Sequence, residues 1–375
     1  MERLRKAGLE TEGGYGCFSK EPPASGTKAR GQTAADVPLP TNECTGDEDG
    51  SWYATRTMQC EIDPNVKYTY YSSDGKTVLG TARFAIAQQL DLSVNSLKWK
   101  ETDQLTMLAA DKISGLGVTM TTSCSATCSP STTQPWAAQT PITVGQTLKA
   151  TYDLQDNPTS AYDYLDQSYE LTIHLPGAVL LSTIKWGGVE VRCDDKISIA
   201  NSSGCVIPWY TPTLRLSRTL YGSSVDMIDW AQRNLSGHWG LKGAGEPLHR
   251  LQSESQKKAN RQALCGTNKF TPDPGIPDDS CDEYPFAGVY ESGALNGVDH
   301  GKDCAQVTAV QADSTGDLAT DWPTITPLGT WNVAQKCVRG HIPGSLNSEA
   351  GGWYGTFVKS ARLADDDPFW VSVVA

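Results

Sequence analysis

The chain has 375 residues with 35 glycines and 21 prolines, which favours two folded units built from short strands and many turns over long helices. Its formal net charge of −12 excludes a broad basic surface for gripping nucleic acid, so local cations or a bound metal must serve any such site. No stretch approaches the roughly 18 consecutive apolar residues of a membrane span.

Residues 1–50 are rich in Gly, Pro, Thr, Lys and Glu and show no apolar periodicity, so we predict a disordered leader or linker there. Residues 1–6 are basic, but no apolar segment follows them, and an export signal is not present in this chain. No chemistry is assigned to this segment.

Residues 51–217 are a succession of short runs rich in β-branched and aromatic residues, separated by turn residues such as Gly187-Gly188. Many strands at this spacing predict a mostly β, sandwich-like domain whose role the sequence does not indicate. The predicted strands are 66–71, 78–87, 90–99, 105–110, 118–122, 147–154, 168–175, 189–193 and 213–216.

Residues 218–245 combine a helical pattern with a Gly-rich stretch. Serines at 223 and 224 can cap a helix in which Val225, Ile228 and Trp230 form an apolar face, and glycines follow from 237 to 245. We therefore predict a helix and linker here, with a small α+β domain from residue 246 to 375.

Eleven cysteines are present, and ten of them fall into pairs of sequential neighbours. This spacing is typical of local disulfides in an oxidising compartment, so we predict a secreted, extracellular protein. Zinc ligation is disfavoured, because the chain has no CxxC motif and its histidines do not cluster near cysteines. Cys17 is left over in the polar N-terminal segment. The predicted pairs are Cys44 with Cys60, Cys124 with Cys128, Cys193 with Cys205, Cys265 with Cys281, and Cys304 with Cys337.

Three carboxylates, Asp282, Glu283 and Glu291, are close together in the C-terminal part of the chain. Pro285 is placed where it can open a helix, which would put Asp282 and Glu283 at the positive end of the helix dipole. Clustered carboxylate oxygens are ligands that hard cations such as Mg²⁺ prefer. Alone, the pair Asp282-Glu283 is more typical of a solvated helix N-terminus, and its companions Glu291 and Asn347 favour the site.

A second feature lies downstream, in residues 336–357. It reads as a strand, a loop that contains His341, and a helix that begins near Asn347 and packs through Trp353 and Phe357, which are four residues apart.

Four blocks together resemble the NucA/NucB family of bacterial extracellular deoxyribonucleases. They are Cys281-Asp-Glu-Tyr-Pro-Phe-Ala287, Glu291-Ser-Gly293, Asn347-Ser-Glu-Ala-Gly-Gly352 and Asp366-Asp-Pro-Phe-Trp-Val371. The resemblance covers about residues 247–375 and implies a compact ββα-metal-like nuclease domain that holds one divalent ion, Mg²⁺ or Mn²⁺, against a DNA phosphate.

By the same resemblance, Asp282 and Glu283 are the acidic pair that orients or deprotonates water. Glu291 is a second essential carboxylate, and Asn347 supplies an amide oxygen. The expected metal ligands are Glu283, Glu291 and Asn347. His341 is the rival general base, because histidine suits that role near neutral pH.

Phosphodiester hydrolysis also needs positive charge near the substrate, and Arg339, Lys359 and Arg362 are the candidate cations that bind the substrate. The expected function is a secreted endonuclease that cleaves DNA with little sequence specificity, as a toxin or a DNA-scavenging enzyme. A toxin role would imply a cognate immunity or inhibitor protein. The alternative is an extracellular adhesion or carbohydrate-binding protein whose nuclease-like domain is inactive.

Overall fold

The computed structural model describes residues 14–20, 44, 50–179, 183–195, 197, 203–310 and 324–375. Strands outnumber helices, so the prediction of a mostly β protein is confirmed. The chain divides into two compact units, Met1–Tyr210 and Thr211–Ala375. None of the described helices has the length and apolar character needed to cross a membrane.

In its described residues, the N-terminal unit is built of strands that form three sheets. The strands are β1 (Gly14–Lys20), β2 (Trp52–Ala54), β3 (Met58–Tyr71), β4 (Val78–Asp91), β5 (Lys98–Asp111), β6 (Leu116–Cys124), β7 (Ser129–Pro130), β8 (Trp136–Ile142), β9 (Thr147–Gln155), β10 (Tyr162–Leu165), β11 (Gln167–His174), β12 (Ala178–Val179), β13 (Ile184–Gly187), β14 (Val191–Asp194) and β15 (Gly204–Val206). An eight-stranded sheet has the order β12-β1-β3-β4-β5-β9-β7, and β2 pairs with β3 outside this path. A four-stranded sheet has the order β13-β11-β6-β8, and a three-stranded sheet has the order β10-β14-β15.

The main core of this unit is shared by the two larger sheets. Alternate residues of a strand point to the same face, and Leu105 and Met107 of β5 meet Leu171 and Ile173 of β11 in one buried cluster. The period-two apolar pattern that predicted these strands is therefore the pattern that fills the core.

Two expectations for this unit require correction. Residues 14–20 of the predicted leader form β1, an ordered strand that pairs in parallel with β12 and antiparallel with β3. Cys17 lies within β1 and is free, so it is not in an unstructured segment. The predicted strand 90–99 spans the end of β4 and the start of β5, which are separate strands. The rest of the predicted leader, apart from residues 44 and 50, lies outside the described residues.

The C-terminal unit combines helices and strands. Its described elements are β16 (Thr213–Ser217), α1 (Arg218–Asn234), β17 (Leu248–His249), α2 (Glu254–Cys265), β18 (Asp279–Tyr284), short 3-10 turns at Gly293–Asn296 and Gly301–Asp303, β19 (Ala305–Val310), β20 (Thr324–Pro327), β21 (Val338–Pro343), α3 (Gly344–Ser360) and β22 (Pro368–Val374). The described strands form two sheets, with the orders β16-β22-β17 and β18-β21-β19-β20.

The segment 218–245 is part of the C-terminal unit and not a linker between domains. Val225 and Ile228 of α1 are buried in the same core as Val338 of β21 and Phe369 of β22. The apolar face that predicted the helix therefore binds it into this unit. The start of the unit moves back to Thr211, because β16 pairs in parallel with the last strand, β22.

The five predicted disulfides are all present, which fits a protein of an oxidising compartment. They join Cys44 to Cys60, Cys124 to Cys128, Cys193 to Cys205, Cys265 to Cys281 and Cys304 to Cys337.

A group of acids is buried among the apolar residues of the N-terminal unit. Asp103 accepts hydrogen bonds from the Gln88 amide at 2.5 Å and from the Tyr152 hydroxyl at 2.7 Å. Glu101 precedes it by two residues on β5, and burial raises the pKa of both carboxyls. Burial also raises the pKa of Glu61 on β3 to about 7, against the opposing charge of Lys20. The interior therefore favours the neutral forms of these acids.

This burial predicts a stability that depends on pH. An acid whose folded pKa is raised stabilises the fold fully below its unfolded pKa of about 4, and this contribution is lost as the pH rises through the folded value. We expect the melting temperature to fall between about pH 4 and 7, and to fall less in a Glu61→Gln/Asp103→Asn variant. Differential scanning calorimetry across this range measures both slopes. The exposed Glu190→Gln variant is the control, and equal slopes for all three proteins would refute the prediction.

Candidate active site

The acidic pair lies on an edge strand and not at a helix start. Asp282 and Glu283 belong to β18, where they are antiparallel partners of Gly340 and Arg339 of β21. The expectation that Pro285 opens a helix is wrong, because ladder pairing keeps the chain extended to Tyr284 and a turn follows. The pair therefore does not lie at the start of a helix opened by Pro285, and burial is the largest cause of its raised pKa values.

A cleft of about 470 Å³ lies beside this edge strand. Among the described strands, β18 pairs with β21 on one side only. Successive residues of β18 line the cleft, and α2 and α3 supply its other walls. Its polar and charged lining residues are Ser224, Lys257, Arg261, Asp278, Asp279, Ser280, Asp282, Glu283, Asn347 and Ser348. The structure thus brings Asp282, Glu283 and Asn347 to one place.

Asp282 is held by two hydrogen bonds. The Ser224 hydroxyl donates to Oδ2 at 2.7 Å, and the backbone amide of Glu283 donates to Oδ1 at 2.9 Å. Ser224 is positioned by a kink in α1 at Gly222, whose φ of +44° lies in the region that favours glycine. Burial raises the pKa of Asp282 to about 6, and the two hydrogen bonds oppose that rise.

Glu283 is more deeply buried, with 8% of the residue exposed. Burial raises its pKa to about 7, the charge of Asp282 acts in the same direction, and Arg261 opposes both. Arg261 Nε lies 3.7 Å from Oε1. The Sγ of Cys265, which is in a disulfide and has no hydrogen to donate, lies 3.4 Å from Oε2. A carboxylate with a pKa near neutrality is suited to accept a proton from water.

Asn347 lies in the first turn of α3, which begins three residues earlier than predicted, at Gly344. Its Nδ2 donates to Ser280 Oγ at 3.0 Å and to the Cys281 carbonyl at 3.1 Å, so β18 fixes the orientation of the amide. Both bonds use the nitrogen, and Oδ1 accepts no hydrogen bond from the described residues. Trp353 of the same helix is 42% exposed and does not pack in the core as expected.

Glu291 is not brought to this cleft. Its Oε1 lies 2.7 Å from His249 Nδ1, and its Oε2 accepts the His249 backbone amide at 3.0 Å. The hydrogen bond with Glu291 raises the pKa of His249, against the effect of burial. Pairing of Arg250 with Val289 draws the two segments together and commits both oxygens of Glu291 to His249.

His341 lies in β21 and not in a loop. Its Nδ1 lies 2.6 Å from Asp279 Oδ2, and its ring stacks on Phe270 with centroids 4.4 Å apart. The residues that line the cleft include Asp279 but not His341. Oδ1 of Asp279 is buried without a hydrogen-bond partner in the described part of the chain. The His341 side chain therefore reaches a residue of the cleft through its contact with Asp279.

The three cations expected from the sequence are elsewhere. Arg339 Nε donates to Gln306, and its Nη1 donates to the carbonyls of Leu264 and Lys269. Arg362 is 2% exposed, and Lys359 lies on the surface in the last turn of α3. A single Arg or Lys in a sequence does not reveal whether its side chain reaches solvent or supports the backbone.

The cations that do line the cleft are Lys257 and Arg261 of α2, which the sequence reasoning missed. A local signal was present. Ser253 caps the helix by accepting from Gln256 N, and Lys257, Arg261 and Cys265 follow at four-residue intervals on one face. The predicted disulfide from Cys265 to Cys281 already placed that face against β18.

Comparisons with known proteins add little. No family model and no curated protein matches the chain. One solved structure, the native conformation of E. coli alpha-2-macroglobulin by cryo-EM, is similar at 12% identity with a TM-score of 0.21. The match covers 36% of this chain and 8% of that one, and at this TM-score the likeness carries no argument about fold or function.

The position of the Cys265–Cys281 disulfide predicts a large stability effect. It closes a separation of 16 residues between α2 and β18, and we expect a Cys265→Ser/Cys281→Ser variant to lose about 3 kcal/mol of the free energy of unfolding. Urea titration followed by circular dichroism measures this loss. A Cys124→Ser/Cys128→Ser variant, which opens a separation of 4 residues in the N-terminal unit, is the control. An unchanged transition in the first variant would contradict the prediction.

Proposed function

We propose that the C-terminal unit is a metal-dependent deoxyribonuclease that hydrolyses phosphodiester bonds in DNA with little sequence specificity. The observation that carries the proposal is the meeting of Asp282, Glu283 and Asn347 in one cleft, although β19, β20 and β21 separate them in the chain. These are three of the residues to which the resemblance to NucA/NucB nucleases assigns the chemistry.

The donor atoms of the cleft suit a hard divalent cation. Asp282 and the Oδ1 of Asn347 would hold the cation, and the buried Oδ1 of Asp279 lies at the same cleft without a hydrogen-bond partner among the described residues. Glu283 lies beside them and is assigned to the proton of the attacking water. No group of three or more His, Cys, Asp or Glu side chains in the described residues is arranged as a complete metal site. Mg²⁺ commonly keeps several waters and uses one or two carboxylates together with substrate phosphates, so a set of this size fits it.

When bound, Mg²⁺ or Mn²⁺ would neutralise the charge that develops on the phosphoryl oxygens and on the leaving alkoxide. The residues of the chain perform the remaining work. Glu283 accepts the proton of the attacking water, because its pKa of about 7 matches the operating pH. Ser224 holds Asp282 in place beside it. Asn347 is oriented by Ser280 and the Cys281 carbonyl, so its amide oxygen is directed without rearrangement.

The biological setting follows from the same proposal. Five disulfides fit action outside the cell, where such bonds persist. DNA is the proposed substrate. Use as a toxin requires an immunity or inhibitor protein in the producing cell, whereas use in scavenging does not.

Plasmid nicking tests the activity and the site together. We expect cleavage with Mg²⁺ or Mn²⁺ and none with chelator, and a loss of at least about 100-fold in the Glu283→Gln and Asn347→Ala variants, because each removes a polar group needed in the transition state. The exposed Glu349→Gln variant, on α3, is the matched control and should cleave like the wild type. Intact plasmid with every metal would refute the nuclease and favour a binding protein with an inactive domain. Wild-type rates in both site variants would refute the site.

The raised pKa of Glu283 predicts the shape of the pH–rate profile. A general base must be ionised, so kcat should rise with pH through about 7 and level off above it. An Arg261→Gln variant removes the cation that opposes this rise in pKa, so the midpoint should move to higher pH. Single-turnover cleavage between about pH 5 and 9 measures both midpoints. A rate that is flat through neutrality would exclude Glu283 as the base.

A further inference from the structure

The helix α2 forms one wall of the cleft and presents a stripe of three residues to it. Lys257, Arg261 and Cys265 are spaced by four residues, so they lie on one face of the helix, and each step rises about 6 Å along the axis. Lys257 and Arg261 line the cleft, and they are the cations among its lining residues.

The orientation of α2 is fixed by bonds to other segments at two points along its length. The Cys265–Cys281 disulfide joins its end to β18. Within the helix, the buried Asn260 donates through Nδ2 to the carbonyls of Ala287 and Val289, and its Oδ1 accepts from Leu295 N. A helix held in this way cannot rotate about its axis, so the stripe is held toward the cleft.

The two cations differ in their surroundings. Arg261 Nε lies 3.7 Å from Glu283 Oε1, and 70% of the arginine side chain is exposed, so its guanidinium also reaches the solvent side of the cleft. Lys257 lies one turn away and is 27% exposed, and it pairs at 2.7 Å with Glu254, which is itself 85% exposed. An ion pair with so exposed a partner contributes little, so a phosphate can displace Glu254.

Resting on the proposed function, we propose that α2 binds two neighbouring phosphates of one nucleic acid strand. Arg261, beside the base Glu283, binds the phosphate that is cleaved, and Lys257 binds the adjacent phosphate of the same strand. The site therefore selects a polynucleotide over a compound with one phosphodiester. A chain of net charge −12 repels a polyanion, which makes this local pair of cations the main source of attraction.

The competing role of these cations is to neutralise the carboxylates of the protein itself, since Lys257 pairs with Glu254 and Arg261 faces Glu283. Two substrates separate the roles, a DNA duplex and thymidine 5′-(p-nitrophenyl) phosphate, which has one phosphodiester. The variants are Lys257→Ala, Arg261→Ala and the matched control Lys258→Ala, whose side chain is exposed on α2 and does not line the cleft.

We expect Lys257→Ala to raise KM for DNA about tenfold, with a much smaller loss on the single diester, and to lower the salt dependence of DNA binding by about one unit of slope. Arg261→Ala should lower kcat on both substrates by about 100-fold, because the cleaved phosphate is present in both. Lys258→Ala should match the wild type. Melting curves verify folding, and Lys257→Gln and Arg261→Gln replace any variant that does not fold.

The following outcomes would overturn the inference. If Lys257→Ala behaves like Lys258→Ala on DNA, or if it reduces cleavage of both substrates equally, Lys257 serves Glu254 alone and binds no adjacent phosphate. If Arg261→Ala keeps the wild-type kcat, Arg261 does not bind the phosphate that is cleaved. If the wild-type protein cleaves neither substrate with Mg²⁺ or Mn²⁺, the proposed function fails and this inference fails with it. If the wild type cleaves DNA and the Lys257→Ala and Arg261→Ala variants cleave it equally well, the inference about α2 is refuted while the proposed function stands.

Discussion

The site depends on the burial of two adjacent carboxyls, Asp282 and Glu283, on an edge strand. Removal of water from a carboxylate is costly unless hydrogen bonds or charges replace it. Here the replacements come from separate parts of the chain, with Ser224 on α1 and Arg261 on α2. The unit must therefore fold completely before the pair acquires its raised pKa, which links the proposed activity to the integrity of the whole unit.

Local information was sufficient to predict part of this structure. The disulfides were predictable because each joins cysteines that are sequential neighbours, and the core strands were predictable because their apolar residues alternate. Asp282, Glu283 and Asn347 were predicted to lie together from the resemblance to NucA/NucB nucleases. Their spacing in the sequence alone does not indicate that they meet in the fold. The helix α1 was predicted from its apolar face, but its membership in the C-terminal unit depends on the distant strand β22.

The failures share a cause, which is a partner far away in the sequence. Pro285 is a good first residue for a helix, yet pairing of β18 with β21 overrides that local preference. Glu291 fits a metal site by type, but His249 occupies both of its oxygens. Arg339 looks like a surface cation, and its guanidinium instead supports backbone carbonyls. Residue type limits what a side chain can do, whereas its partner decides what it does.

The acidity of the chain is compatible with an anionic substrate because electrostatic interactions are short-ranged in salt. At physiological ionic strength the field of an exposed charge is screened over about 8 Å, so acids distant from the cleft contribute little to the potential inside it. Arg261 Nε lies 3.7 Å from Glu283 Oε1, and Lys257 lines the same cleft. In the proposed nuclease, the overall charge would limit non-specific adhesion to nucleic acid, while the two cations would hold a strand at the cleft. This arrangement would favour rapid release of cut strands over sliding along the duplex.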